Sequence, residues 1–285
     1  MKPPRFEYIR LESLEEALAI LAEHGDEAKP LAGGQSLVPM LNMRLASPGV
    51  LVDLNRIAGL DGIGEANGSV RAGALVRQSA FERSEVVRRR LPIAAECLPH
   101  VGHFVTRNRG TVGGSIAHAD AKAELPLVLL ALGGSAVVRS VRGERTIPAE
   151  ELFVTHYTTA LEPDELLVET VWPDRGPGAA FEEFALRAGD YALAMAACVL
   201  RVEGNRVADA RLAVAGPLER PSIVEAAGLL AGNELTRELA LEVAEQARAQ
   251  AEPIDSLHAS AAYQRHLVGL LVERAVLRAW RNATA

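Results

Sequence analysis

Cysteine is scarce. The 285 residues hold only Cys97 and Cys198, and no Cys-x-x-Cys occurs. This excludes an iron–sulfur cluster held by the chain's own thiolates and a zinc site of four cysteines. One intramolecular disulfide is arithmetically allowed, but both cysteines sit in apolar contexts that suit a buried small hydrophobe. Aromatic residues are 4%, few for a chain that stacks bases or sugars on ring platforms. Positive charge is in deficit, with 30 Lys and Arg against 37 Asp and Glu and a formal net charge of −7. A nucleic-acid partner is therefore not expected. The start MKPPRFEYIR lacks the apolar core of a leader, and the apolar run LPLVLLALGG at 125–134 is too short to span a bilayer. The expectation is a cytoplasmic protein with no transmembrane segment. Repeats, heptads and low-complexity tracts are missing as well.

What is present is apolar content, 49%, enough for a core shared among two or three domains. Residues 1–59 read as strand, helix, strand, glycine turn, helix, strand. Ser13 and Glu16 form a capping box ahead of Leu14, Ala17, Leu18 and Leu21 at helical spacing, and Gly25 ends that helix. In 60–175, GSVRAGAL alternates as a strand. Residues 78–98 are mostly helical, with Ser79 and Glu82 as a second capping box and Pro92 as a break. KAELPLVLLALGG is a buried helix, two strands flank an Arg142-Gly143 turn, and ELLVETVW adds another. The run PDRGPG at 173–178 punctuates the chain. In 176–285, three antiparallel strands are expected within 181–216, two of them joined by a Gly204-Asn205 turn. Helices follow: one opened by Ser222 and Glu225, one over 234–250, and one over 260–280 with Tyr263, Leu267, Leu270, Leu271, Arg274 and Leu277 near one face. The fold class is α+β.

Two glycine pairs carry the chemistry: Ala32-Gly33-Gly34-Gln35-Ser36 and Thr111-Val112-Gly113-Gly114-Ser115. Each follows an extended segment and precedes a small polar residue and then apolar ones. Glycine pairs let a backbone aim its N–H groups at one point, where an anion sits, and Ser36 and Ser115 add hydroxyls. Folded against each other, the two would cradle a pyrophosphate; taken singly, each also reads as a plain tight turn. Neither is a G-x-G-x-x-G fingerprint, a phosphate loop with Gly-Lys-Ser/Thr, or a Gly-x-Ser-x-Gly elbow, so those nucleotide and hydrolase classes are not expected. His118 and Asp120 have no third ligand near them and no His-Glu-x-x-His occurs, so no metal site is expected. His118 suits either a buried hydrogen-bonded residue or a place beside a cofactor. Arg107 and Arg109 precede the second pair and point to a phosphate, a partner or plain solvent. Tyr191 opens a strand after Gly189-Asp190 and reads as core or as a stacking partner for a planar ring.

AGGQSLVPMLNMRLA (32–46) and TVGGSIAHADAKAELP (111–126) resemble the paired FAD-binding signatures of the medium subunit of molybdenum hydroxylases. That family includes aerobic carbon monoxide dehydrogenase, bacterial N-heterocycle dehydrogenases and the flavin domain of xanthine dehydrogenase. FEEFALRAGDYALAMAA (181–197) resembles a third signature, and ASAAYQRHLVGLLVERAVLRA (259–279) resembles the C-terminal helix, with Gln264 where arginine is usual. The likeness covers essentially the whole chain. It implies two N-terminal α/β subdomains, 1–59 and 60–175, forming a PCMH-type FAD-binding domain, and a C-terminal domain, 176–285, of three antiparallel strands backed by helices. It implies a pyrophosphate wrapped by Ala32, Gly33, Gly34, Gln35 and Ser36 on one side and by Thr111, Gly113, Gly114 and Ser115 on the other. Lys29, Leu31 and Leu37 then flank the first segment as cofactor neighbours. His118 and Asp120 flank the second, with Asp120 on ribityl or ribose hydroxyls, and Tyr191 lies near the isoalloxazine. Ser115 stands where many relatives have Asn, Ala121 and Glu124 where Pro and Asp are common, and some carbon monoxide dehydrogenases carry Lys near Glu183.

The implied role is electron transfer on FAD, with no acid, base or metal ligand supplied by this chain. A molybdopterin-binding large subunit oxidises the substrate, the [2Fe–2S] clusters of a small subunit relay electrons to the flavin, and an external acceptor removes them. The implied assembly is a dimer of heterotrimers. Two rival readings stand beside it. A stand-alone FAD-dependent oxidoreductase needs a substrate acid or base that the sequence does not offer. A flavin-free assembly subunit has no use for intact glycine pairs.

Overall fold

The computed structural model describes residues 2–285. The first unit runs β1 (Glu7–Arg10), α1 (Leu14–His24), β2 (Ala28–Leu31), α2 (Leu37–Met43) and β3 (Val50–Asp53). β3 lies between β1 and β2, parallel to both, with Val50 opposite Glu7 on one side and Ala28 on the other. Four apolar or short residues in β3 are buried on both faces, which is how a central parallel strand reads. α1 buries Ala17, Leu18 and Leu21 beneath this sheet; Ser13 Oγ accepts the Glu16 amide at 3.3 Å and Gly25, at φ +50°, closes the helix.

The second unit contains β4 (Ile63–Ala66), β5 (Ser69–Gly73), α3 (Gln78–Arg83), α4 (Glu85–Arg90), α5 (Pro92–Cys97), α6 (Phe104–Arg107), α7 (Val112–His118), α8 (Glu124–Leu132), β6 (Ser135–Ser140), β7 (Gly143–Pro148), α9 (Ala149–Leu152), β8 (Phe153–Thr155), β9 (Thr158–Thr159) and β10 (Leu166–Pro173). Five of its strands form an antiparallel sheet in the order β4-β5-β10-β6-β7. The helical stretch 78–98 is three short helices, and the cap expected at Ser79 is elsewhere. Ser79 lies inside α3, whose start is set by the Gln78 amide donating to Gly110 O at 2.9 Å, while Ser84 Oγ accepts the Val87 amide at 3.4 Å and caps α4. A tertiary backbone link has overridden the local capping signal.

The third unit contains β11 (Ala179–Phe184), β12 (Ala194–Glu203), β13 (Arg206–Ala215), β14 (Ser222–Ile223), α10 (Arg237–Gln250) and α11 (Ala261–Thr284). The three expected strands pair antiparallel, and the two-residue β14 adds a fourth at the edge. Ser222 therefore belongs to a strand rather than a helix cap, and a 3-10 turn at Glu225–Leu230 stands where a helix was expected. β12 is covered on both faces, and the period of two sorts its side chains. Met195, Ala197 and Val199 join the core around α8, whereas Ala194, Ala196, Cys198 and Leu200 join the core under α10 and α11. Cys97 and Cys198 are buried in different cores, and both are free. The buried face of α11 is rotated from the expected one: Leu267, Val268, Leu271, Val272, Ala275 and Ala279 pack inward, while Tyr263 and Arg274 do not. Gln264 is buried on that face because its Nε2 donates to Ile254 O at 2.8 Å and Ala259 O at 3.2 Å, which ties down the preceding segment. Among the described residues no helix is long and apolar enough to cross a membrane.

Candidate cofactor site

β2 delivers Ala32 to a turn in which Gly34 takes φ +72°, a left-handed value that favours glycine, before α2 begins at Leu37. A Cβ on Gly33 would lie 2.4 Å from Arg109 O and 2.7 Å from Gly110 Cα. One on Gly114 would lie 3.6 Å from Ala32 Cβ. The two glycine segments, far apart in sequence, therefore meet backbone to backbone, and Gly33 is what allows the approach. Among the described residues the amides of Gly33, Gly34, Gln35 and Ser36 donate to no protein acceptor, although Gln35 Nε2 reaches Gly33 O at 3.3 Å. Four amide donors in one turn are thus left for something else.

The second segment is built differently, and the tight turn expected there is the first turn of α7. Thr111 is extended and its Oγ1 accepts the Gly114 amide at 3.0 Å. The Gly113 amide donates to Ala74 O at 3.1 Å and the Val112 amide to Val76 O at 2.9 Å. A Cβ on Gly113 would come within 2.5 Å of Ala74 Cα. Here the glycines serve close packing of a helix on the strand end, and their amides are already engaged.

Two residues that carried no sequence signal join the segments. Asn55, just past β3, donates from Nδ2 to Ala32 O at 2.8 Å and to Asp53 Oδ1 at 2.6 Å. Its Oδ1 accepts from Arg77 Nη2 at 2.6 Å, and Arg77 Nη1 donates to Arg109 O. Tyr8 donates its hydroxyl to Asp53 Oδ2. Arg107 is absorbed by the scaffold: Nε meets Glu82 Oε2 at 2.9 Å and Nη1 meets Val101 O at 3.1 Å. The Arg109 side chain is exposed. Lys29 is exposed on β2 opposite Leu51, outside these contacts; Leu31 lends its Cδ1 to the wall behind Gly34.

α7 runs from this meeting point to His118 and ends on Ala119 at φ +50°. Asp120 follows, 3% exposed, with Oδ1 accepting the Lys122 amide at 2.9 Å and Oδ2 accepting the Tyr157 hydroxyl at 3.3 Å. Tyr157, another residue that the sequence did not single out, sits at φ +56°, donates its amide to Ala119 O at 3.0 Å and stacks on His118 with centroids 4.7 Å apart. Two left-handed non-glycine residues cost roughly 1–2 kcal/mol each, a local strain that surrounding contacts must hold. Burial holds the His118 pKa below the usual value, which favours the neutral ring. Tyr191 stands in the loop before β12, not at its start; the residue is partly open to solvent while its hydroxyl end lies by Asp120. Its phenol is pushed up to about 12, first by desolvation and then by the nearby Asp120 carboxylate. The same loop is held at Gly189, where a Cβ would come within 2.8 Å of His103 Cε1.

Behind Asp120 lies a buried acid group. Glu124, at the start of α8, is pushed up to about 8, chiefly by burial and next by Glu183. Glu183 leaves Oε2 buried without a partner, while Oε1 lies 3.6 Å from His100 Nδ1 and raises that imidazole.

Comparison with known proteins places this architecture. Residues 4–175 match the FAD binding domain in molybdopterin dehydrogenase, and residues 179–279 match the CO dehydrogenase flavoprotein C-terminal domain. The chain belongs to the FAD-binding medium subunits of the molybdenum hydroxylases. This medium subunit is 42% identical over 287 residues to the 6-hydroxypseudooxynicotine dehydrogenase complex subunit alpha of Paenarthrobacter nicotinovorans, covering 99% of this chain and 97% of the relative. Its fold matches carbon monoxide dehydrogenase from Hydrogenophaga pseudoflava with a TM-score of 0.96 at 38% identity, over 99% of both chains. It matches quinoline 2-oxidoreductase from Pseudomonas putida 86 with a TM-score of 0.95 at 37% identity, over 100% of both chains. It is therefore a flavoprotein subunit of a multi-subunit molybdenum-dependent dehydrogenase.

Proposed function

We propose that this medium subunit binds FAD along the line from the 32–36 turn to Asp120 and Tyr191, receives electrons from the [2Fe–2S] clusters of a small subunit and passes them to an external acceptor. In this reading it stands in a dimer of heterotrimers with a molybdopterin-binding large subunit. The observation that carries it is the set of uncommitted amides at Gly33, Gly34, Gln35 and Ser36, closed over by the second segment at backbone distance. Those amides suit a diphosphate, with the start of α7 as the opposite wall. α7 has 7 residues and so carries the site about 10 Å onward. At its far end Asp120, pinned by Lys122 and Tyr157, is set to accept from ribityl or ribose hydroxyls, and Tyr191 offers a ring face to the isoalloxazine. Bound FAD supplies the electron chemistry; this chain supplies grip, orientation and polarity. No proton-transfer residue of its own is needed for that role.

Partner docking is supported by apolar side chains left open near both segments: Met43 at the end of α2 and Leu45 just past it, Phe104 and Val105 on α6. Relatives named for carbon monoxide and for quinoline share this fold at TM-scores of 0.96 and 0.95, which supports substrate choice residing in another chain. The test is direct. Titrating the full chain with FAD should give saturable binding and a protein-perturbed flavin spectrum. A purified native complex that releases no flavin on denaturation would overturn the reading.

A further inference from the structure

We propose that Asn55 and Arg77 are positioning residues that preset the gap between the two glycine segments before a cofactor arrives, an inference that rests on the FAD site proposed above. The bond path is continuous. Ala32 O is held by Asn55 Nδ2 at 2.8 Å, Asn55 Oδ1 is held by Arg77 Nη2 at 2.6 Å, and Arg77 Nη1 holds Arg109 O. The carbonyl at the end of this path is the one that a Cβ on Gly33 would strike. The clamp thus grips both walls of the cradle at the atoms where they touch.

Each member has one workable orientation. Asn55 Nδ2 faces three acceptors, Ala32 O, Asp53 Oδ1 and, at 3.4 Å, Leu31 O, so the amide cannot flip without opposing oxygen to oxygen. Asp53 is itself fixed, accepting the Asn55 amide at 2.9 Å and the Tyr8 hydroxyl. Arg77 needs a fork, because its two acceptors come from different subdomains; a lysine ammonium has no planar pair of donors to match them. Its backbone is also registered to the second segment, through the Arg77–Thr111 bridge.

The charge is informative. Among the described residues no carboxylate lies within ion-pair distance of Arg77, and its partners are a carbonyl and an amide oxygen. Burial first and the neighbouring Arg109 next act against its charge and outweigh the support it draws from Asp53. A half-buried guanidinium beside an anion cradle, with its nearest supporting carboxylate, Asp53, reached only through Asn55, is relieved further when an anion enters. A preset gap also spares the ligand the cost of ordering two segments on arrival.

The test uses the full chain, freed of FAD, and the variants Arg77→Lys, Asn55→Asp and the double variant. Two readouts are taken: FAD dissociation constant by titration, and hydrogen exchange of peptides spanning 30–38 and 108–116. Each single variant should weaken FAD at least tenfold and speed exchange in both peptides at least fivefold, leaving a peptide within α10 unchanged. The double variant should be no worse than the weaker single, since either change opens the same path. Leu267→Ala, buried in the C-terminal core, should lower the melting temperature without moving FAD affinity, which separates positioning from general loss of stability. Unchanged exchange in the variants overturns the clamp, whether or not the wild-type chain binds FAD. Faster exchange with unchanged FAD affinity overturns its role in presetting the site. A wild-type chain that binds no FAD, with exchange loosened as expected, overturns the cofactor reading and leaves the clamp itself standing.

Discussion

The two glycine segments look alike as letters and differ as structures. Ala32–Ser36 is a turn with Gly34 in the left-handed region and a row of amides that find no acceptor among the described residues. Thr111–Ser115 is a capped helix start whose Gly113 and Gly114 amides are already bonded; Gly113 lets α7 lie on Ala74, and Gly114 sits under the Thr111 cap. One segment is the open hand and the other the rigid surface it closes on. A glycine pair thus serves two separate needs, dihedral freedom and close approach, and the sequence does not say which.

The sharpest way to break this comparison is to add single methyl groups. Gly33→Ala and Gly113→Ala each drive a Cβ into backbone, and each is expected to cost about 3 kcal/mol or more in urea unfolding. Gly33→Ala should also abolish measurable FAD binding. Gly114→Ala brings its Cβ to 2.7 Å from Thr111 Oγ1, so that this capping side chain must shift, and to 3.6 Å from Ala32 Cβ; displacing a side chain should cost less than a clash with backbone, and an equal loss there would refute the distinction.

Next in size is a pH effect near neutrality on the second segment's side; residues 32–37 themselves contain no ionisable group. Glu124 is raised from 4.5 to about 8, so between those values the native state holds a proton that the unfolded chain has released. Its contribution makes stability fall as pH rises across that window and level off above it. Glu124→Gln should flatten the fall, a relative gain of a few kcal/mol at pH 8 against pH 5 by order of magnitude, read from paired melts. An unchanged pH profile would show that this acid is not held neutral.

Smaller effects sharpen the contrast further. Gly34→Ala forces alanine to φ +72° and should cost about 1–2 kcal/mol while leaving the α7 side untouched by hydrogen exchange. Thr111→Ala removes the cap on Gly114 and should cost about 1 kcal/mol, with exchange rising in α7 and not in the 32–36 turn.

Much of the frame was legible in the sequence because periodicity reports burial. The α1 stripe, the β12 run and the Ser13 cap all stand where the pattern put them. What escaped was decided by distant partners. Ser79 lost its capping role to the bond that the Gln78 amide donates to Gly110 O, and the α11 face turned toward residues chosen by the sheet beneath it. At the proposed site, the glycine segments, Asp120 and Tyr191 were named through resemblance. Asn55, Arg77 and Tyr157 were not, because an isolated polar residue carries no signal until the chain brings its acceptors to it.

β12 has a consequence for anyone who would cut this chain in two. Its odd-numbered side chains complete the interior around α8 and its even-numbered ones complete the interior around α11. A break at the proline–glycine hinge near 176 would expose one greasy flank on each fragment, so both pieces are expected to precipitate or to find each other again. The boundary between the matched sequence patterns is a seam in inheritance, while the folding unit runs straight across it.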